Sequence, residues 1–137
     1  MTPDEFSIVI ETEQDARAAL VAVWKAAMAA EWTVVGDYDL SGILSDDRTE
    51  RDVKAIDICK PELARPFAQV EMRTALCMPC NVLIYVEDGI TKLAAMRPSV
   101  LLPHLFQEAA GRVDDALPQR IDAELERILT AAAATSE

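Results

Sequence analysis

Residues 81–96 read NVLIYVEDGITKLAAM, an Asp-Gly pair set between two apolar runs rich in β-branched side chains. Asp and Gly both tolerate the positive φ that a two-residue hairpin turn requires, so the segment predicts two antiparallel strands joined at Asp88–Gly89. A hairpin also fixes which side chains share a face, because successive residues of a strand point to opposite sides. Pairing across the turn sets Val82, Ile84, Val86 and Leu93 on the face to be covered by helices, and Leu83, Tyr85, Ile90, Ala94 and Met96 on the other. That second face is too apolar for water alone. It predicts an interface or a ligand surface, and the expectation is a homodimer.

The remaining elements follow from periodicity and punctuation. FSIVIET reads as a strand, and Thr12 with Asp15 three residues on forms a capping box that opens a helix through about Ala30. Its buried stripe is Ala16, Ala19, Leu20, Val23 and Ala27. In WTVVGDYDLSGIL, alternation puts Trp32, Val34, Tyr38 and Leu40 on one face and Asp37 and Asp39 on the other. VKAIDIC is a third strand, with Ile56 and Ile58 inward and Asp57 and Cys59 outward. Pro61 begins a second helix running toward Met72, with a kink or a short first turn expected at Pro66. Ser99 caps a short helix ending at Gly111, and Pro118 begins a last one with Ile121, Leu125, Ile128 and Leu129 on its apolar side. The tail TAAAATSE is expected to fray.

The order is βαββαββα, an α+β fold: a mixed sheet with helices packed on one face. At 137 residues the chain makes a single domain, residues 1–137, with a C-terminal helical segment over about 99–133. The link from the third strand to the fourth reads as a parallel β-α-β crossover. That places Cys59 and Cys80 at opposite ends of the sheet, roughly 20 Å apart.

Charge narrows the partners. The net charge is −11, and the 13 Lys and Arg residues are scattered from Arg17 to Arg127, which opposes binding to nucleic acid or to an anionic membrane. The longest apolar run, NVLIYV, is far short of the ~20 residues that span a bilayer. No basic segment followed by a long apolar stretch opens the chain, so the expected location is the cytoplasm. Thiols are usually reduced there, and three cysteines do not make a disulfide framework.

The stretches DLSGIL, DICKPELA and MPCNVLIYVEDG carry a cysteine and a proline ahead of the second helix, then a proline-cysteine pair ahead of a strand ending in an acidic residue and glycine. These residues, Cys59, Pro61, Pro79, Cys80, Asp88 and Gly89, resemble the pattern of the bacterial and archaeal family called domain of unknown function 302. The resemblance spans about Asp39 to Met96. It implies an α+β fold and often a dimer, with no established reaction. Lys60 stands where asparagine is common, Pro66 interrupts the helix, and Cys77 is an addition to the pattern.

Chemistry is confined to sulfur. Cys77-Met78-Pro79-Cys80 has the spacing of a redox pair, but it precedes a strand rather than opening a helix, which is the wrong order for thioredoxin-like activation. Cys59 does sit just before a helix start, where partial positive charge favours thiolate, and it is the candidate for carrying persulfide sulfur. Zinc needs four ligands and the motif supplies two. Met96 and His104, the only histidine, fall at the sheet end assigned to Cys77 and Cys80. The four make a soft set suited to Cu(I) and, with less ease, to Zn(II) or a haem iron. Asp37 and Asp39 read as a solvated sheet edge, and Gly36, Gly42, Gly89 and Gly111 form no phosphate loop. The expected function is soft-ligand handling or sulfur carriage through cysteine, without a catalytic constellation. The alternative is a dimeric interaction module whose cysteines only pack.

Overall fold

The computed structural model describes residues 1–135. Strands β1 Ser7–Thr12, β2 Thr33–Asp39, β3 Val53–Cys59, β4 Cys80–Glu87 and β5 Ile90–Met96 form one sheet in the order β1-β5-β4-β3-β2, and every neighbouring pair is antiparallel. Around it lie α1 Pro3–Phe6, α2 Ala16–Ala29, α3 Ser41–Leu44, α4 Pro61–Val70, α5 Pro98–Leu105, α6 Gln107–Ala110 and α7 Leu117–Ala133, with a 3₁₀ turn over Met72–Cys77. The longer elements keep the βαββαββα order, and the class is α+β. No helix among the described residues is long and apolar enough to cross a membrane.

The β4–β5 hairpin turns at Asp88, φ 54°, and Gly89, φ 77°, with Glu87 opposite Ile90 and Ile84 opposite Leu93. Val82, Ile84 and Leu93 are fully buried under helices, whereas Ile90 and Met96 are exposed on the other face. Helix α2 approaches the sheet closely because its inner stripe is small: Ala16, Ala19, Ala22, Val23 and Ala27 are buried, while Leu20 lies at the edge of the stripe. Beside it α7 inserts Ile121, Leu125, Ile128 and Leu129. Each fully buried Leu or Ile contributes about 1.5–3 kcal/mol. The two helices and the inner rows of the sheet make one core.

The sheet is antiparallel throughout rather than mixed, and the cause is the link between β3 and β4. That link is helix α4, whose ten residues rise about 15 Å, followed by the six-residue 3₁₀ turn in contact with it. The chain re-enters the sheet at the end it left. Ile58 therefore lies opposite Cys80, and the separation of Cys59 from Cys80 expected from a parallel crossover does not occur.

Local chemistry differs from expectation at several places. A bulge between Val34 and Gly36 shifts the register of β2, so Tyr38 sits opposite Ala55 on the open face and its hydroxyl donates to Asp57 at 2.9 Å. Asp37 and Asp39 fall opposite Ile56 and Lys54 instead. Asp15, not Thr12, caps α2 by accepting the Ala18 N–H at 2.8 Å, and Thr12 ends β1 and donates to the Ala133 carbonyl at 2.9 Å. Helix α4 continues through Pro66. Helix α5 opens at Pro98, which leaves Ser99 to donate to Asp122 at 2.9 Å. Residues 130–133 of the tail are helical, with Ala132 fully buried, and Ser136 and Glu137 lie outside the described residues.

Candidate functional site

Because β3 ends where β4 begins, and β5 ends and β2 begins beside them, one end of the sheet collects Cys59, Cys80, Met96 and Trp32. The α4 excursion walls one side with Leu63, Ala64, Leu76, Cys77 and Met78. Leu101 and Leu102 of α5 and Ile121 of α7 wall the other. Between them is a cavity of about 170 Å³. All three cysteines of the chain and two of its five methionines, Met78 and Met96, line it. The Met78–Pro79 peptide that leads into β4 is cis.

The structure thus brings Cys77, Cys80 and Met96 together and adds Cys59, which the parallel crossover had placed elsewhere. His104 is exposed on α5 and is not part of the lining. Leu83, Tyr85, Ile90 and Ala94 lie on the open face of the sheet. Among the described residues, no three His, Cys, Asp or Glu side chains come together so as to hold a metal ion.

The polar frame of the cavity was not legible beforehand. Glu124 on α7 accepts from the Trp32 indole at 3.1 Å and from Lys60 at 3.3 Å, and Arg120 reaches its other oxygen at 3.3 Å. Burial pushes the Glu124 carboxyl up, but the hydrogen bonds from Trp32 and Lys60 outweigh it and hold the group below the usual carboxylate range. Lys60, the cation on the lining, is consequently paired. Next to Ile121, Asp122 takes Arg97 at 3.1 Å and Ser99 at 2.9 Å on one oxygen, while the other is buried with no hydrogen-bond partner among the described residues. At the rim, Asn81 donates to Asp57 at 2.9 Å. Trp32 was readable only as an apolar position, and Glu124 only as a polar residue beside a buried stripe.

This surrounding keeps the thiols neutral. Burial pushes the Cys59 thiol up, and the Glu62 carboxylate one turn into α4 adds to it, opposing the thiolate expected from a helix start. Burial also pushes up Cys77. Cys80 shares the inner row of Val82 and Ile84, and its thiol is pushed up to about 12, by burial first and then by Cys59, Asp122, Cys77 and Asp57. Cys80 thus shares the cavity lining with both other thiols, and Ile58, next to Cys59, lies opposite it.

Five antiparallel strands carrying two helices over one face, with a sulfur-lined cavity at one end, define a small α+β domain with a pocket. The family described as "Domain of unknown function DUF302" matches residues 8–132, and the chain belongs to that family. The match extends well beyond the Asp39–Met96 segment. Among solved structures, the crystal structure of the uncharacterized conserved protein DUF302 from Bacillus stearothermophilus is 18% identical, aligns over 93% of this chain and 95% of that one, and has a TM-score of 0.71. That likeness establishes the shared fold. No curated protein matches.

Alkaline unfolding tests the Cys80 environment. A thiol whose folded pKa is raised to about 12 from an unfolded value of 9.0 contributes stability that is complete below pH 9.0 and is lost as pH rises toward 12. In that window the group removes up to about 1.4 kcal/mol per pH unit. Urea denaturation is expected to show a shallower alkaline decline in Cys80→Ala than in the unsubstituted chain. Equal slopes would mean that the thiol is solvated.

Proposed function

We propose that this domain binds a soft ligand through sulfur at the β3/β4 end of its sheet, and that Cu(I) is the ion best matched to the donors. The supporting observation is the sharing of one cavity by Cys59, Cys77, Cys80, Met78 and Met96. Thiolate and thioether sulfur select Cu(I), which is satisfied by few ligands, whereas structural zinc takes four in a closed tetrahedron. A cavity of about 170 Å³ is also below the roughly 300 Å³ at which pockets begin to enclose drug-sized molecules, which disfavours haem.

The thiol chemistry separates this from sulfur carriage. Persulfide transfer needs a thiolate nucleophile. Burial and the Glu62 carboxylate push up the thiol of Cys59, the candidate for that role, and burial pushes Cys80 up to about 12, which opposes thiolate at both. A soft cation instead displaces the thiol protons as it binds. Cys80 is assigned as the central ligand, Cys59 or Cys77 as the second, and Met78, half-buried on the lining, as a thioether contact. The three free cysteines fit a reducing compartment such as the cytoplasm.

Anaerobic Cu(I) titration of the reduced protein against a competing chelator is expected to give one tight site. Loss of a direct ligand should exceed the roughly 10- to 100-fold effect of outer-shell changes. Cys80→Ser is expected to weaken binding most, Cys59→Ser at least as much as Cys77→Ser, and His104→Ala not at all. Affinity should rise about tenfold per pH unit for each proton released. Equal affinity in the unsubstituted chain and Cys80→Ser would refute the assignment.

A homodimer through the open sheet face accompanies this reading. It is supported by the exposure of Val9, Ile90 and Met96 at 48%, 42% and 51%, beside half-buried Leu83, Tyr85 and Ala94. Light scattering is expected to return twice the 15.0 kDa chain mass, and the chain mass itself for Leu83→Lys. A monomer at high micromolar concentration would contradict the dimer and leave the cavity unaffected.

A further inference from the structure

We propose that the same cavity is a site for neutral trivalent metalloid compounds, with an aryl arsenical as the size-matched ligand, an inference that rests on the sulfur-pocket reading and names a second ligand class for it. Three observations converge. All three cysteines line one cavity, with Cys80 opposite Ile58, the strand neighbour of Cys59. Among the described residues the lining carries no unpaired charge, since Lys60 is held by Glu124 at 3.3 Å with both side chains largely buried. The volume of about 170 Å³ slightly exceeds the ~150 Å³ of an apolar cavity known to admit benzene. A phenyl ring fits among Leu63, Leu101, Leu102 and Ile121, with the arsenic at the sulfurs.

The reaction suits thiols that stay protonated. An aryl arsenical in water carries two hydroxyl groups, and it condenses with two thiols. Two S–H and two As–O bonds break, two As–S bonds form, and two water molecules leave. Arsenic stays trivalent, so no oxidant or reductant is needed and no net proton is released. Burial, which makes a charged thiolate costly, does not oppose this exchange. The bridged pair is Cys80 with Cys59, whose strand neighbour Ile58 lies opposite Cys80, and Cys77 is the substitute when Cys59 is absent.

The full-length reduced protein is titrated with phenylarsine oxide, the adduct is read by intact mass, and remaining thiols are counted by alkylation. One adduct per chain is expected, with one of the three thiols still free. Its affinity should change less than about threefold between pH ~6 and ~8, in contrast to a proton-releasing cation. Cys80→Ser and Cys80→Ala, checked for folding by circular dichroism, should both lose the bridge, while Cys59→Ser keeps a weaker one. An adduct retained when Cys80 is replaced, or an affinity climbing with pH, would overturn the inference. Absence of an adduct in a protein that binds Cu(I) overturns this inference alone, and failure of both ligands overturns the pocket reading with it.

Discussion

Antiparallel pairing of β3 with β4 is the constraint on which the site depends. With Ile58 opposite Cys80, the last residue of one strand and the first of the next fall at the same end, and the twenty residues between them must leave and return there. That excursion becomes the wall of the cavity. Without it the chain would place Cys59 a full strand length from Cys80, and the three cysteines would not line one cavity. The same pairing explains why two sequence patterns, cysteine and proline at 59 and 61 and proline and cysteine at 79 and 80, sit far apart in the chain but adjoin in the fold.

Much of the fold was legible because it rests on local chemistry. Asp88–Gly89 sets the hairpin register, the alternation of Val82, Ile84 and Leu93 against Leu83 and Ala94 sets its faces, and the spacing of Ile121, Leu125, Ile128 and Leu129 sets the inner side of α7. What was not legible depends on a single added residue or on a sum of lengths. One bulge at Val35 reverses the side on which Tyr38 points. The link through α4 and a six-residue 3₁₀ turn, which reads as a crossover, is a return, since β3 and β4 pair antiparallel. The cap at Asp15 and the bond from Ser99 to Asp122 were missed for a different reason: several side chains can serve a helix start, and tertiary partners decide among them.

The candidate site follows the same division. Sulfur-bearing residues could be picked out by type, and Met96 could be placed by following the hairpin down. Trp32, Lys60 and Glu124 come from three separate elements and meet only in three dimensions, so nothing in their spacing announces them. Their effect is nonetheless specific. Glu124 ties the indole and the ammonium to α7, which leaves the cavity apolar and without a free cation to draw protons off the thiols. On the reading proposed above, such a lining takes ligands that bond to sulfur strongly enough to displace hydrogen.

The sharing of one site by the three thiols can be measured without any ligand. Dibromobimane links two thiols only when they can approach each other, and digestion with mass mapping identifies the linked pair. The antiparallel β3–β4 register leads to a Cys59–Cys80 link in the native, reduced protein, and to its disappearance in denaturant. Links confined to Cys77 and Cys80, with Cys59 modified singly, would contradict the account at its foundation.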